Sequence, residues 1–288
     1  MEKQNEKFKY LLPIFVLISG LLIAGAMIYS AGLKSLGNQK QNTVVPLAGV
    51  ELPTKWGNLG KRLIEAGVID SQQFEALYAT RGGLTEEQKK LLYGEDNGNL
   101  VISPENSGFI LNLLWALGLG NENEILKNGE MTNPQYGGAA NFASTGGWTL
   151  AKSDTMGHYS KHQFIILTAE QQALIEQISK NIYRPCCGNP AHFPDCNHGM
   201  AMLGFLELAA SQGANENQLY GMALVLNSYW FSENYLTIAQ YMKNRGVDWA
   251  DVSAREVLGQ NFSSASGYQK IVAQLTLQPR QGGGSCGV

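Results

Sequence analysis

Three of the four cysteines and two of the four histidines of this chain fall within one run of 13 residues, Cys186 to His198. With its flanks the run reads Pro185-Cys186-Cys187-Gly188-Asn189-Pro190-Ala191-His192-Phe193-Pro194-Asp195-Cys196-Asn197-His198-Gly199-Met200. Thiolates and imidazoles this close together are the ligands that soft metal ions prefer, and Met200 adds a thioether. The candidate ligands are Cys186, Cys187, Cys196, His198, His192 and Met200. Adjacent side chains diverge, so Cys186 and Cys187 do not readily serve one tetrahedral ion together; one ligates while the other stays free or bridges to a second ion. Cys196 and His198, two apart where a helix is expected to begin, can both bend toward one ion. The expected set is Cys196, His198 and one of the cysteine pair, with a fourth ligand from His192, Met200 or elsewhere. The expected ion is copper(I) or zinc(II).

Two other chemistries fit the same residues. In an oxidising compartment Cys186 or Cys187 can pair with Cys196 as a disulfide, leaving the other for Cys286, which sits on the glycine-rich tail over residues 281–288. That describes a stapled surface interaction domain without metal. The third chemistry is thiol exchange. Helix N-terminal N–H groups favour a thiolate, which lowers the expected pKa of Cys196. The spacing is not Cys-x-x-Cys, and no thioredoxin-like βαβ pattern surrounds it. Covalent haem is excluded by the lack of Cys-x-x-Cys-His, and an iron–sulfur cluster would need Cys286 or a histidine to complete four ligands.

The remaining constellations carry less. His158 and His162 are spaced so that a helix would place them on one face, but His-Tyr-Ser-Lys-His lacks the glutamate of a zinc-protease motif. They read as surface histidines unless they face the main loop and complete its ligand set. The acids in Gly94 to Asn99 miss the calcium-loop spacing. Ser144, in a loop over residues 131–150 rich in Gly, Asn, Ser and Thr, has no nucleophile-elbow glycines around it. Tyr229, Trp230, Phe231, Tyr235 and Tyr241 read as core.

The elements that must position the cluster are helical. Leu59, Leu63 and Ile64, then Phe74, Leu77 and Tyr78, recur at helical spacing, and Asp70 and Ser71 suit a cap. Thr85 and Thr168, each followed three residues later by Gln, open two more helices. A short strand is expected at Leu100-Val101-Ile102, and a long helix from Ser103-Pro104-Glu105 through Leu117. The helix begun at Thr168 runs to Ile182 and leads into the cysteine loop. Asp195 is placed to cap the next helix, from about His198 to Ser211. Helices then follow from Asn215 through Tyr229, from Glu233 to Lys243 and from Gly267 to Leu275. The fold class expected is mainly α, an irregular helical domain behind an N-terminal transmembrane helix.

That transmembrane helix is read from Tyr10 to Ser30, 21 residues without a charge, enough to cross a hydrocarbon core of about 30 Å. Lys3, Lys7 and Lys9 precede it, so the N-terminus is expected in the cytoplasm and the bulk of the chain outside. The alternative is a cleaved signal peptide, with Tyr29-Ser30-Ala31 as the small-residue site. The expected organisation is a cytoplasmic tail over 1–9, an anchor over 10–31, a linker over 32–53, an extracytoplasmic helical domain over 54–280 and a flexible tail over 281–288. Lys and Arg number 21 against 24 Asp and Glu, with no basic patch. No nucleic-acid partner is therefore expected.

Residues 185–230 resemble extracytoplasmic bacterial proteins with the Pro-Cys-Tyr-Cys-Gly-Cys motif. The resemblance is carried by Pro185-Cys186-Cys187-Gly188, the later Cys196, a helix, Gly213 and a second helix. The alternating Cys-x-Cys-x-Cys of those proteins is not present. The resemblance implies metal binding outside the cytoplasm and names no substrate. Together these readings describe a single-pass membrane protein whose external domain holds a soft metal ion, with no catalytic residue assigned.

Overall fold

The computed structural model describes residues 44–277. The anchor expected over 10–31, the cytoplasmic tail, most of the linker, the glycine-rich tail and Cys286 lie outside the described residues. Among the described residues, no helix is long and apolar enough to cross a membrane.

The described part is mainly helical, as expected. It opens on a two-stranded antiparallel sheet, β1 (Val50–Gly57) and β2 (Asn97–Ile102), with Val50 opposite Ile102 and Gly57 opposite Asn97. The linker expected up to residue 53 is corrected here: Leu52, Thr54 and Trp56 alternate inward on β1 and are buried, as a half-buried strand requires. Between the strands lie α1 (Leu59–Glu65), α2 (Ser71–Ala79) and α3 (Glu86–Tyr93). The Asp70 side chain caps α2, and Thr85 with Gln88 forms a capping box on α3.

The centre of the molecule is a pair of helices, α4 (Ser107–Gly120) and, after the short α5 (Glu124–Asn128) and α6 (Ala169–Ser179), α7 (Asn197–Ser211). α4 starts at Ser107 instead of Ser103, because the Asn106 side chain accepts from the Ser103 N–H and donates to the Val101 carbonyl, holding Ser103 to Asn106 as a turn. α6 stops at Ser179 and does not reach Ile182. α7 is buried without interruption from Gly199 to Ala210; a helix that is apolar all round belongs in a core. Two glycines explain how closely α4 and α7 approach. A Cβ on Gly118 would stand 2.1 Å from the Met200 carbonyl oxygen, and one on Gly204 would stand 2.5 Å from the Gly118 nitrogen. The backbones touch, and any larger residue would force them apart.

Around this pair stand α8 (Glu216–Trp230), α9 (Ser232–Asn244), α10 (Ala254–Val257), α11 (Gln260–Ser263) and α12 (Ala265–Leu277). Met202, Leu203, Phe205 and Leu206 on α7 are fully buried. Burial of such side chains contributes about 1.5–3 kcal/mol each. The same helix buries Glu207, whose Oε2 accepts from the Asn121 amide at 3.0 Å. Burial raises its pKa well above the usual carboxylate range, so the core holds it neutral.

Candidate metal centre

The cysteine loop connects α6 to α7 and is fixed at both ends. The Tyr183 N–H donates to the Leu258 carbonyl, the Ala191 N–H to Ile182 and the His192 N–H to Ser179. The Cys187 carbonyl accepts from Ala265 at the start of α12. Phe193 closes an aromatic trio with Tyr136 and Phe142, their ring centroids 5.3–5.4 Å apart. The polar loop over residues 131–150 therefore packs against the cysteine loop, and its Ser144 N–H donates to the Asp195 carbonyl at 3.1 Å. The Ser144 hydroxyl is buried and makes no hydrogen bond.

Two overlapping groups of ligand atoms result. Cys186, Cys196 and His198 bring two sulfurs and a ring nitrogen within 4.8 Å of one another, and so do the ligand atoms of Cys187, Asp195 and Cys196. The Cys186 and Cys196 sulfurs are 3.9 Å apart. All three cysteines are free thiols; Cys186 is exposed, Cys187 and Cys196 half-buried. His198 lies against Phe231, centroid to centroid 4.4 Å, and Trp230 at 6.0 Å. The aromatic run is thus divided: Tyr229, Tyr235 and Tyr241 are buried in the core, while Trp230 and Phe231 wall the imidazole.

Cys196, not Asp195, is the N-cap residue of α7, with extended backbone and no side-chain capping bond. Asp195 is occupied elsewhere. Its Oδ1 accepts from Arg184 Nη2 at 2.8 Å and its Oδ2 from the Asn189 amide at 2.8 Å. Arg184 is fully buried, its second contact being Nη2 to Cys196 Sγ at 3.4 Å. Its Nε and Nη1 have no hydrogen-bond partner. The guanidinium lies on Gly199, where an added Cβ would come within 2.7 Å of Nη2.

This arrangement divides the protons unequally. Hydrogen bonds from Cys186 and Cys187, aided by His198 and the Arg184 charge, hold the Cys196 thiol well below its ordinary range. Cys186 is pushed up, chiefly because its thiol bonds Cys187 and Cys196. The arrangement favours the deprotonated form at Cys196 over Cys186. Burial opposes the Arg184 charge, but Cys196, Cys187 and Asp195 outweigh it and raise its pKa.

The two groups are not equivalent as cation sites. In the second, both Asp195 oxygens are already bonded, and a guanidinium sits where a second cation would have to approach. The first group meets the guanidinium at Cys196, which Arg184 Nη2 contacts at 3.4 Å. Cys196 belongs to both, and Cys187 turns its sulfur toward the Asn189 carbonyl at 3.8 Å.

The structure brings Cys186, Cys187, Cys196 and His198 together and places His192 and Met200 differently. His192 lies in neither group. Burial, then Lys180, lower its pKa, while Glu176 and Glu130 oppose this. Met200 is fully buried and packs in the hydrophobic core. His158 and His162 are on no helix; an irregular segment folds them so that their rings stack and Nδ1 meets Nε2 at 3.0 Å. They pair with each other, and His158 Nε2 meets Ser153 Oγ at 3.0 Å. Sequence reasoning passed over Arg184 and Asn189. The signal was an arginine two residues before the cysteine pair and a glycine immediately after His198.

No family model, curated protein or solved structure matches the chain.

Proposed function

We propose that this protein is a membrane-anchored extracytoplasmic protein that holds one soft metal ion, copper(I) or zinc(II), on Cys186, Cys196 and His198. The observation that carries the reading is the 3.9 Å between the two sulfurs, with a ring nitrogen of His198 within 4.8 Å of both. Two thiolates on a tetrahedral zinc at about 2.3 Å stand roughly 3.8 Å apart. The sulfurs therefore already lie along an edge of the polyhedron an ion would impose. Arg184 supports it further, since a buried cation beside Cys196 favours the deprotonated sulfur that a metal requires.

The membrane anchor over 10–31 and the location outside the cytoplasm belong to the same proposal and rest on the uncharged stretch and its flanking lysines. So does kinship with the Pro-Cys-Tyr-Cys-Gly-Cys proteins, which rests on the motif residues alone. A fourth ligand is supplied by solvent.

Elemental analysis of the full-length protein, purified under reducing conditions with zinc or copper(I) supplied, tests the reading. About one equivalent is expected in the unmutated chain. It should be lost in Cys196→Ser and weakened in His198→Ala, with His192→Ala unchanged. Substoichiometric metal in the unmutated chain refutes the assignment. A thiol oxidoreductase is the second reading, favoured by the lowered pKa of Cys196; exchange with a model disulfide in the absence of metal would support it instead.

A further inference from the structure

We infer that the ion at Cys186 and Cys196 is released by peroxide, because the two sulfurs that hold it are also placed to join as a disulfide. This inference rests on the metal reading of the same residues and adds the condition under which the ion leaves. Two features of the structure carry it. First, the sulfurs lie 3.9 Å apart, so a bond needs only about 2 Å of approach. Second, their access differs. Cys186 is exposed and Cys196 is half-buried, with Arg184 and His198 beside the inner sulfur. An oxidant from solvent meets Cys186 first, and the Cys196 sulfur, 3.9 Å away, is placed to resolve it.

The step balances as follows. The Cys186 sulfur attacks one oxygen of hydrogen peroxide, the O–O bond breaks, and a sulfenic acid and hydroxide result. The Cys196 thiolate then attacks the Cys186 sulfur, forming the S–S bond and expelling a second hydroxide. Two electrons pass from the sulfurs to the peroxide. Both thiolate ligands are lost, the two hydroxides take up protons as water, and the ion, left with His198 alone among the three proposed ligands, is released. A dithiol reductant reverses the disulfide and restores the site. Cys187, whose sulfur also lies within 4.8 Å of Cys196, is the competing partner, and the bond is assigned to Cys186.

The test uses the full-length protein with Cys286→Ser to remove the tail thiol, loaded with zinc and titrated with hydrogen peroxide in the presence of a chromogenic zinc chelator. Released zinc is expected to rise in step with disulfide, about one ion for each bond formed. Peptide mapping should link Cys186 to Cys196 while Cys187 remains open to alkylation, and dithiothreitol should restore zinc uptake. Cys187→Ser should release zinc as the parent does. Zinc that stays bound, a link through Cys187, or oxidation to sulfinic acid without a disulfide overturns the inference while leaving the metal reading standing. If the reduced chain takes up no zinc, the metal reading itself fails; mapping of the oxidised apo chain then reports whether the thiol pair exists.

Discussion

The position of both α7-borne ligands depends on a backbone contact, and a single methyl group can test it. A Cβ placed on Gly204 would stand 2.5 Å from the Gly118 nitrogen, 2.6 Å from the Leu114 carbonyl oxygen and 2.8 Å from the Gly118 Cα. All three are backbone atoms of α4, so no rotamer change relieves the overlap. Ordinary contact begins at 3.4 Å, so the helices must part by about 0.9 Å along a buried face. Overpacking of this kind costs about 1–3 kcal/mol, and a rigid obstacle on both sides puts Gly204→Ala near the top of that range. Alanine returns about 1 kcal/mol of helix propensity. The net loss is then about 2 kcal/mol, a fall in Tm of roughly 4–8 °C for a domain of this size. Gly221, inside α8, is the matched control, because an added Cβ there meets nothing within 4 Å. Gly221→Ala should gain about 0.5–1 kcal/mol from propensity alone. Thermal and urea denaturation of the two full-length variants, followed by circular dichroism, gives the comparison. If Gly204→Ala is as stable as the parent, or if both variants shift alike, the α4–α7 contact is refuted, and with it the placement of Cys196 and His198.

Other perturbations read the charged groups and the caps. Arg184→Met removes the buried member of the pair with Asp195, whose side chain keeps 20% exposure and its bond to Asn189. Breaking a buried pair costs about 3–5 kcal/mol, and the partial exposure of Asp195 places this near 3, measured by urea unfolding; an unchanged midpoint counts against the buried pair. Burial holds Glu207 protonated, so the folded chain keeps a proton that the unfolded chain releases above about pH 4.3. Its contribution to stability is complete below that pH and falls by up to about 1.4 kcal/mol per unit as the pH rises, until the folded pKa is passed. Glu207→Gln should remove this slope between pH 5 and 8, and equal slopes in variant and parent would show that Glu207 is ionised. Thr168→Ala breaks the capping box on α6; it should cost about 1 kcal/mol and leave metal uptake untouched, whereas altered uptake would mean that α6 fraying reaches the loop.

Where local chemistry decides the structure, the sequence was readable. Thr85, Thr168 and Asn215 each stand three residues before a glutamine and each form a capping box, because a hydroxyl or amide reaching the third N–H needs nothing from elsewhere. The helix bearing Leu203 and Leu206 was legible from its apolar run. Long-range pairing was not. Val50 to Pro53 reads as the end of a polar tether, and the pairing of Val50 to Gly57 with Asn97 to Ile102 makes it part of a strand. Asp195 looks like a cap because its type and position suit one, yet a buried arginine 11 residues earlier claims it. A full charge without water outbids an exposed capping bond. His158 and His162 have helical spacing, but the chain between them turns through Ser160 at φ 51°. At the cluster, residue type and spacing singled out Cys196, His198 and one of Cys186 and Cys187, and the structure brings Cys186, Cys196 and His198 together. Type and spacing could not rank His192, which lies in neither group, or Met200, which is buried in the core.

The two halves of the cluster are held differently, and that bears on what the proposed ion would be for. Cys196 and His198 ride on the first turn of α7, which is locked to α4 through Gly118 and Gly204 and backed by the buried Arg184. Cys186 completes the set from the loop and is exposed. Structural zinc sites close around the ion with four protein ligands and supply folding energy outright. Here one ligand faces solvent, and the core beneath runs continuously from Leu52 to Ile271 without needing an ion to complete it. The metal-free chain should therefore fold, and an incoming thiol would reach the proposed ion from the Cys186 side and exchange for it. A rigid pair that sets the geometry and one accessible thiol that opens it would suit an ion that is loaded and given up rather than one that holds a fold together.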